Sequence, residues 1–157
     1  MNAKLAEILK REVMQFEVIT HPEAYTAQER AARCHVTGWR LAKVVVVRDG
    51  DWFAMAVLPA SAYLDLPEFR AITRRPDLAL ASEAEIARLF PDCDVGAMPP
   101  FGRLYGMPVY MDRTLAAGPD LLFEGGTHRE EVRMPTSDYM RVAQPVIAPL
   151  AATRRAA

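Results

Sequence analysis

The sequence predicts a single α+β domain in which helices flank a curved, mixed and largely antiparallel β-sheet. Two apolar runs, residues 41–47 and 52–58, are separated by the turn residues Asp49 and Gly50 and therefore indicate a buried hairpin. Because both runs are continuously apolar, the sheet that they begin is covered on both faces or curls around its own core. The 157 residues fit one domain and contain no repeat, low-complexity tract or linker.

Apolar periodicity and turn residues predict the remaining elements. Two helices begin at Thr26 and Ser82, because each residue is followed three positions later by Glu and so forms a capping box. Pro67 suits the first turn of another helix. Helices are predicted over residues 3–13, 26–36, 67–75, 82–90 and from 135, and strands over residues 16–19, 41–47, 52–58, 78–81, 107–112, 121–124 and 128–134.

Several segments carry weaker patterns. Residues 61–66 are expected to form a short helical turn, and Pro108 is expected to place its strand at a sheet edge or at an entry point. Residues 128–134 alternate only weakly, which indicates a half-exposed strand. The segment after about residue 149 is expected to fray.

Composition narrows the classes of function. A net charge of −1 gives no chain-wide basic surface, so any phosphate contact has to be local. No apolar run approaches the ~20 residues that span a bilayer, and the acidic residue in the N-terminal helix is unlike a secretory signal. Cys34 and Cys93 are isolated and indicate buried thiols in a reducing cytoplasm. His21, His35 and His128 are too scattered to suggest a metal site, so no metal or other cofactor is expected.

The segment 94–102 is predicted to be a stiff loop. Pro99 and Pro100 fix φ and hold the residue before each of them extended, while Gly96 and Gly102 permit turns or a close approach to the backbone. The remaining amides, around residues 96–98, therefore have few internal partners. Such a loop can bind a ligand through its amides, or it can simply connect two elements.

Lys43 is the second unusual feature, because it lies inside an apolar strand where a charge is costly unless it is compensated. The chain has sixteen arginines and three lysines, and Lys43 is the one lysine outside the N-terminal helix. Its ammonium can reach solvent along the side-chain stem. Alternatively, it can point into a cleft and bind an anion or stabilise charge on a reacting carbonyl.

The two features together, a lysine within the apolar strand 41–46 and a G-x-x-x-P loop at 96–100 about fifty residues later, resemble the YbaK / prolyl-tRNA synthetase-associated editing domain family. Residues 81–85, 108–112 and the pair of strands at 123–132 agree with the same family, and the resemblance covers roughly residues 15–145. It implies one editing-type domain over residues 1–157, with a core at about 15–148 and a frayed tail at 150–157.

The resemblance implies trans-editing, which is hydrolysis of the ester that joins a wrong amino acid to the 3′ end of a tRNA. Deacylation passes through a tetrahedral oxyanion, which needs fixed hydrogen-bond donors more than it needs a metal. Lys43 and Gly96 are the residues expected at the reacting carbonyl, with Lys43 holding the aminoacyl end or contacting the terminal ribose or phosphate. The loop residues expected to bind substrate are Ala97, Met98, Pro99, Pro100, Phe101 and Gly102. No general base is evident, so help from the substrate itself is expected, and specificity is expected to come from pocket size.

Three further residues are candidates for substrate binding by the same resemblance. His128 can contact the substrate or a water, or it can be a surface histidine at a strand end. Asp112 can border the cleft or act as the N-cap of the following turn. Thr26 can line the pocket, although its capping role is sufficient to explain it.

The expected partner is mischarged tRNA, bound at its 3′ aminoacyl end. The sequence contains no synthetase catalytic domain and no anticodon module, so the resemblance implies a free-standing protein to which a synthetase or an elongation factor supplies tRNA specificity. A family member that has kept the fold as a non-catalytic ligand-, tRNA- or protein-binding domain is the alternative. A general nucleic-acid-binding module is disfavoured by the near-neutral charge and by the lack of a basic stripe.

Overall fold

The computed structural model describes residues 1–152, and within them it contains six α-helices and ten strands. The helices are α1 (Ala3–Arg11), α2 (Ala27–Cys34), α3 (Leu66–Thr73), α4 (Glu83–Leu89), α5 (Arg113–Ala116) and α6 (Thr136–Ala143). The strands are β1 (Glu17–Thr20), β2 (Ala42–Asp49), β3 (Trp52–Pro59), β4 (Tyr63–Leu64), β5 (Ala79–Leu80), β6 (Val109–Asp112), β7 (Asp120–Glu124), β8 (Glu130–Pro135), β9 (Val146–Ala148) and β10 (Ala151–Ala152).

The strands form a five-stranded sheet in the order β5-β2-β3-β6-β9, a three-stranded sheet in the order β1-β8-β7 and the pair β10-β4. The β2-β3 hairpin is antiparallel, whereas β3, β6 and β9 run parallel to one another. A parallel bridge between Leu41 and Leu122 joins the two larger sheets just before β2 begins. The architecture is therefore the predicted α+β domain with mixed, largely antiparallel pairing.

Strand alternation divides the β2-β3 hairpin between two apolar cores, because successive side chains point to opposite faces of a sheet. Ala42, Val44 and Val46 pack into a cluster with α1 and with Met98 and Phe101 of the loop. Val45 and Val47 pack on the other face, in a cluster that includes Phe69 of α3. Both faces of the hairpin are covered, as its continuous apolar sequence predicted.

The local signals for caps and turns are confirmed. Thr26 and Ser82 form complete capping boxes with Glu29 and Glu85. Gly50 turns the hairpin with a φ of +60°, a conformation that glycine adopts without strain. Helix α3 has its proline in the first turn, as predicted.

Tertiary pairing explains three predictions that are wrong, and it decides between the two alternatives for Pro108. Within residues 61–66, Tyr63 and Leu64 form a strand instead of a helical turn, because β10 pairs with them. Strand β6 lies between β3 and β9 and is not an edge strand, but Pro108 stands immediately before its first residue, so the entry-point alternative is realised. Strand β8 lies between β1 and β7, so most of its residues are buried and not half-exposed.

The C-terminal segment is the third correction. Leu150 is fully buried, and β10 pairs with β4, so residues 150–152 do not fray as predicted. The rest of the predicted frayed tail, residues 153–157, lies outside the described residues. No helix within residues 1–152 is long and apolar enough to cross a membrane.

Candidate active site

The glycine- and proline-rich loop presents unpaired backbone donors. Gly96 has a φ of +90°, which strongly favours glycine, and it is exposed, whereas Ala97 and Met98 are buried. The Ala97 amide donates to the Asp94 carbonyl at 3.0 Å. Within residues 1–152, the Gly96 and Met98 amides donate to no acceptor. Two of the three expected loop amides therefore have no acceptor within the described residues, and the third closes a turn.

The second half of the loop is held by the apolar core. The Pro100 carbonyl accepts a hydrogen bond of 2.7 Å from the Tyr139 hydroxyl. Phe101 is fully buried and packs edge-on against Phe123 and Tyr139. Gly102 is required by packing, since a Cβ there would lie 2.3 Å from the Met107 carbonyl oxygen. Pro99, which the resemblance also assigned to substrate binding, is buried in the same part of the loop. These contacts make the loop a fixed platform.

The turn between β7 and β8 holds the first half of the loop. The Asp94 amide donates to the Gly126 carbonyl at 2.8 Å, and the Asp94 carboxylate accepts from the His128 amide at 3.3 Å. His128 Nε2 lies 2.9 Å from the Val95 carbonyl oxygen. A Cβ built on Gly96 would lie 3.7 Å from His128 Cε1. The structure therefore brings His128 and the loop together, two candidates that are about thirty residues apart in the sequence.

Both ring nitrogens of His128 face hydrogen-bond acceptors. Nδ1 is 2.8 Å from Glu124 Oε2, and Nε2 faces the Val95 carbonyl. Because a carbonyl can only accept, Nε2 donates to Val95, and Nδ1 shares one hydrogen bond with the Glu124 carboxyl group. Burial raises the pKa of Glu124 above its ordinary value, against the opposing charge of Arg30.

Arg30 lies behind this pair in a buried network of charges. Its Nε and Nη2 donate to the two carboxylate oxygens of Glu131 at 2.6 and 2.9 Å. Its Nη1 lies 3.5 Å from Glu124 Oε1, and Nη2 also donates to the Ala42 carbonyl at 3.0 Å, beside Lys43. A bidentate, desolvated pair of this kind fixes the positions of the surrounding groups.

Sequence reasoning missed Arg30, Glu124 and Glu131. Arg30 lies on a helix where an arginine is expected to face solvent. The one available signal was Glu124 itself, because it ends an otherwise apolar strand just as Lys43 interrupts one. The pairing partner of Glu124 could not be found from spacing, since Arg30 is far away in the sequence.

Lys43 borders a separate cavity of about 270 Å³. Its ammonium donates to the Ala62 carbonyl and lies 5.8 Å from the centre of the Tyr63 ring. Burial lowers the pKa of Lys43, and the nearby charge of Arg30 lowers it further. The other residues that line the cavity are Val45, Tyr63, Leu64, Leu66, Pro67 and Leu80.

The Lys43 cavity and the loop lie on opposite faces of β2. Lys43 shares its face with Val45, whereas Met98 packs against the face that carries Val44 and Val46. None of residues 96–102 lines the Lys43 cavity. Lys43 and the loop are connected through Arg30, whose charge lowers the pKa of the Lys43 ammonium and also that of Glu124.

The two other candidates have structural partners. Thr26 caps α2 by accepting from the Glu29 amide at 3.1 Å. Asp112 is 2% exposed; it caps α5, and its other carboxylate oxygen accepts from the amides of Leu150 and Ala151, each at 2.8 Å. The capping alternative is therefore realised at both positions, and Asp112 also anchors the C-terminal strand.

Comparison with known proteins identifies the family of this chain. The model of the family "aminoacyl-tRNA editing domain" matches residues 21–142. The chain is 29% identical over 154 residues to the multifunctional Ser/Thr-tRNA deacylase ProXp-y of Escherichia coli (strain K12), and the match covers 92% of this chain and 89% of that protein.

Solved structures share the fold. The crystal structure of the hypothetical protein APE2540 superposes with a TM-score of 0.86 at 20% identity, covering 95% of this chain and 99% of that one. A structure described as a candidate trans-editing enzyme for prolyl-tRNA synthetase gives a TM-score of 0.84 at 22% identity and covers 95% of each chain. Because the family model spans most of the sequence, the chain belongs to the aminoacyl-tRNA editing domain family.

Proposed function

We propose that this protein is a trans-editing deacylase that hydrolyses the ester bond of mischarged tRNA. The match to the editing-domain family over residues 21–142 carries this proposal. In the reaction, water adds to the ester carbonyl carbon, and the bond from that carbon to the terminal ribose oxygen breaks. The ribose oxygen takes up a proton, and the products are a free amino acid and a tRNA.

The loop amides are proposed to stabilise the oxyanion of this reaction. The Gly96 and Met98 N–H groups have no acceptor within residues 1–152, so a substrate oxygen does not have to displace one. Fixed donors of this kind stabilise the charge that develops in the transition state, and loss of one donor typically costs about 10²–10³ in rate. The core contacts of Pro100 and Phe101 keep these donors in place without substrate.

His128 is proposed to orient the Gly96 amide. The Val95 carbonyl and the Gly96 N–H belong to the same planar trans peptide, so they point in opposite directions. Because His128 Nε2 binds the Val95 oxygen, the Gly96 hydrogen is directed away from the ring. Glu124 holds the other ring nitrogen and so fixes the plane of the imidazole.

Lys43 is proposed to bind a different part of the substrate. Its ammonium lies on the other face of β2, so a terminal ribose or phosphate oxygen suits it better than the carbonyl that the loop holds. A compact ammonium is a common partner for phosphate.

Seryl and threonyl esters are the proposed substrates, since the relative that is 29% identical is named a Ser/Thr-tRNA deacylase. A hydroxylated side chain can also help to activate the attacking water, which suits a site without an evident general base. Mischarged tRNA is present where translation occurs, so the protein would work in the cytoplasm. A synthetase or an elongation factor is the proposed source of tRNA specificity.

The deciding experiment measures hydrolysis of tRNAs charged with Ser, Thr, Ala and Cys, each against the correctly charged tRNA. We expect the wrongly charged seryl or threonyl ester to be hydrolysed fastest. Lys43→Ala should lose most activity through a raised KM, while Lys10→Ala, a change at an exposed lysine of α1, should behave as wild type. If no ester on the panel is hydrolysed, the protein is a binding domain of the family; if Lys43→Ala is fully active, the role of Lys43 is wrong.

A further inference from the structure

His21 has a buried ring nitrogen without a hydrogen-bond partner. Its side chain is 3% exposed, and Nδ1 lies 2.7 Å from the Pro22 carbonyl oxygen, so Nδ1 carries the proton. Nε2 has no hydrogen-bond partner within residues 1–152. A buried polar atom left in this state is destabilising, so a ligand at Nε2 would remove a cost that the fold otherwise bears.

Cys34 and Glu131 lie beside this nitrogen. One ligand atom from each of His21, Cys34 and Glu131 lies within 4.8 Å of the other two, and His21 Nε2 is 3.9 Å from Glu131 Oε1. Cys34 is the last residue of α2, and Glu131 is the second residue of β8. The His21 amide donates to the Arg129 carbonyl at 2.8 Å, which continues the β1-β8 pairing and fixes the histidine beside Glu131.

The surrounding hydrogen bonds resemble those that support metal ligands in general. A histidine that binds a metal through one nitrogen usually donates the other N–H to a carbonyl or a carboxylate, as His21 Nδ1 does here. Ligating carboxylates are likewise held by hydrogen bonds, and Arg30 holds both oxygens of Glu131. Each carboxylate oxygen has two lone pairs, so Glu131 Oε1 keeps one for a metal.

We propose that His21, Cys34 and Glu131 bind one Zn²⁺ ion between β1, α2 and β8. Zinc prefers nitrogen, sulfur and carboxylate ligands at about 2.0–2.3 Å, so ligand atoms in its shell are about 3.5 Å apart. The separations of up to 4.8 Å would have to shorten by about 1 Å, through rotation of the His21 and Cys34 side chains toward Glu131, which Arg30 holds in place. The site is separate from the loop and from Lys43, and it does not depend on the deacylase function.

Two features set the strength of this site. The Arg30 guanidinium lies against Glu131 and repels a divalent ion. Burial raises the pKa of the Cys34 thiol to about 11, so the metal has to displace its proton. We therefore expect weaker binding than at structural zinc sites with four protein ligands, with one proton released for each ion bound.

Cobalt is the probe for the test, because Co²⁺ replaces zinc and gives a thiolate-to-metal charge-transfer band when a cysteine binds it. Titration of the purified chain with CoCl₂ should give this band at one ion per chain, and excess ZnCl₂ should abolish it. The chain has two cysteines, so Cys93→Ser is the matched control for Cys34→Ser. The band should persist in Cys93→Ser and disappear in Cys34→Ser, and His21→Gln should weaken Co²⁺ binding at least tenfold.

The result remains decisive if Cys34→Ser or His21→Gln does not fold, because Cys93→Ser alone assigns the band to Cys34. A wild-type protein without a charge-transfer band, or a band lost in Cys93→Ser, overturns the proposal. A second readout is the melting temperature, which ZnCl₂ should raise in wild type and Cys93→Ser through preferential binding to the folded state. An equal rise in folded Cys34→Ser would show that zinc binds elsewhere.

Discussion

The Glu124 carboxyl group shares a hydrogen bond of 2.8 Å with His128 Nδ1, and this contact turns Nε2 of the same ring to the Val95 carbonyl at 2.9 Å. A buried acid at the end of β7 therefore determines the orientation of a peptide in the loop. That peptide carries the Gly96 amide, one of the two loop donors without an acceptor within residues 1–152. The series Arg30, Glu124, His128, Val95 thus connects the charged core to the proposed oxyanion site.

Removal of the His128 ring tests this connection. His128→Ala frees the peptide between Val95 and Gly96, so deacylation should fall in kcat with little change in KM. A hydrogen bond to a charged group contributes about 1.5–3 kcal/mol, which corresponds to a loss of about 10–100-fold. Glu124→Gln keeps an acceptor for Nδ1 and should lose less activity than His128→Ala. Steady-state kinetics on a misacylated tRNA measure both variants, and an effect of His128→Ala confined to KM contradicts the positioning role.

Gly96 and Gly106 form a matched pair for the loop backbone. Both have positive φ, +90° and +70°, so alanine at either position is strained by about 1–3 kcal/mol. A Cβ at Gly106 meets nothing within 4 Å, and one at Gly96 meets only the His128 ring at ordinary contact distance. Gly96→Ala and Gly106→Ala should therefore lose similar stability in urea denaturation.

The two glycine variants should differ in activity. Gly96→Ala has to change the orientation of the proposed donor, so its deacylation rate should fall at least tenfold, while Gly106→Ala should keep the wild-type rate under conditions where both are folded. Equal activity in the two variants would remove Gly96 from the site.

Most of the predicted elements rest on local sequence signals. These signals were reliable where interactions between sequence neighbours, such as helix caps and tight turns, determine the structure. Capping boxes at Thr26 and Ser82 and the turn at Gly50 depend on neighbours within a few residues, and all three formed as predicted. The prediction for residues 61–66 failed, and the edge alternative for Pro108 was not realised, because pairing with the distant strands β10 and β9 decided these structures. Local patterns contain no information about such partners.

The candidate site likewise contains residues that local patterns revealed and residues whose partners lie far away in the sequence. The lysine, the loop and His128 were visible as unusual residue types in their segments, and His128 does meet the loop. We expected Lys43 to meet the loop amides, but the side-chain directions do not support this. Alternation along β2 points Lys43 to one face and Val44 to the other, and Met98 belongs to the apolar cluster of Val44. The Arg30 network was invisible, since an ion pair between α2 and β8 depends on the packing of a helix against a sheet.

The buried ammonium of Lys43 should make stability depend on alkaline pH. Burial lowers its pKa in the folded protein below the ordinary 10.5, so the folded state loses the proton before the unfolded state does. The charged ammonium destabilises the fold at neutral pH, and this penalty disappears as pH rises from the folded pKa to about 10.5. Lys43→Met should therefore be more stable than wild type at pH 7, by an amount that shrinks with rising pH.

Urea denaturation of Lys43→Met at several pH values between 7 and 10.5 measures this difference. Lys10→Met, a change at an exposed lysine of α1, is the control and should show no such trend. A constant difference between Lys43→Met and wild type across the range would mean that burial does not affect the Lys43 ammonium. Combined with the expected rise in KM, a stabilised Lys43→Met would identify a residue kept for substrate binding at the expense of stability.

The buried pair of Arg30 and Glu131 should be sensitive to loss of one partner. Arg30→Met leaves the Glu131 carboxylate, which is fully buried, without its two charged hydrogen bonds, and such a loss costs about 3–5 kcal/mol. Arg129→Met is the matched change at an exposed pair, since the Arg129 side chain is 67% exposed beside Glu23. Exposed pairs contribute about 0–1 kcal/mol. Chemical denaturation should therefore separate the two variants by at least 2 kcal/mol, and similar stabilities would show that Glu131 is compensated by groups other than Arg30.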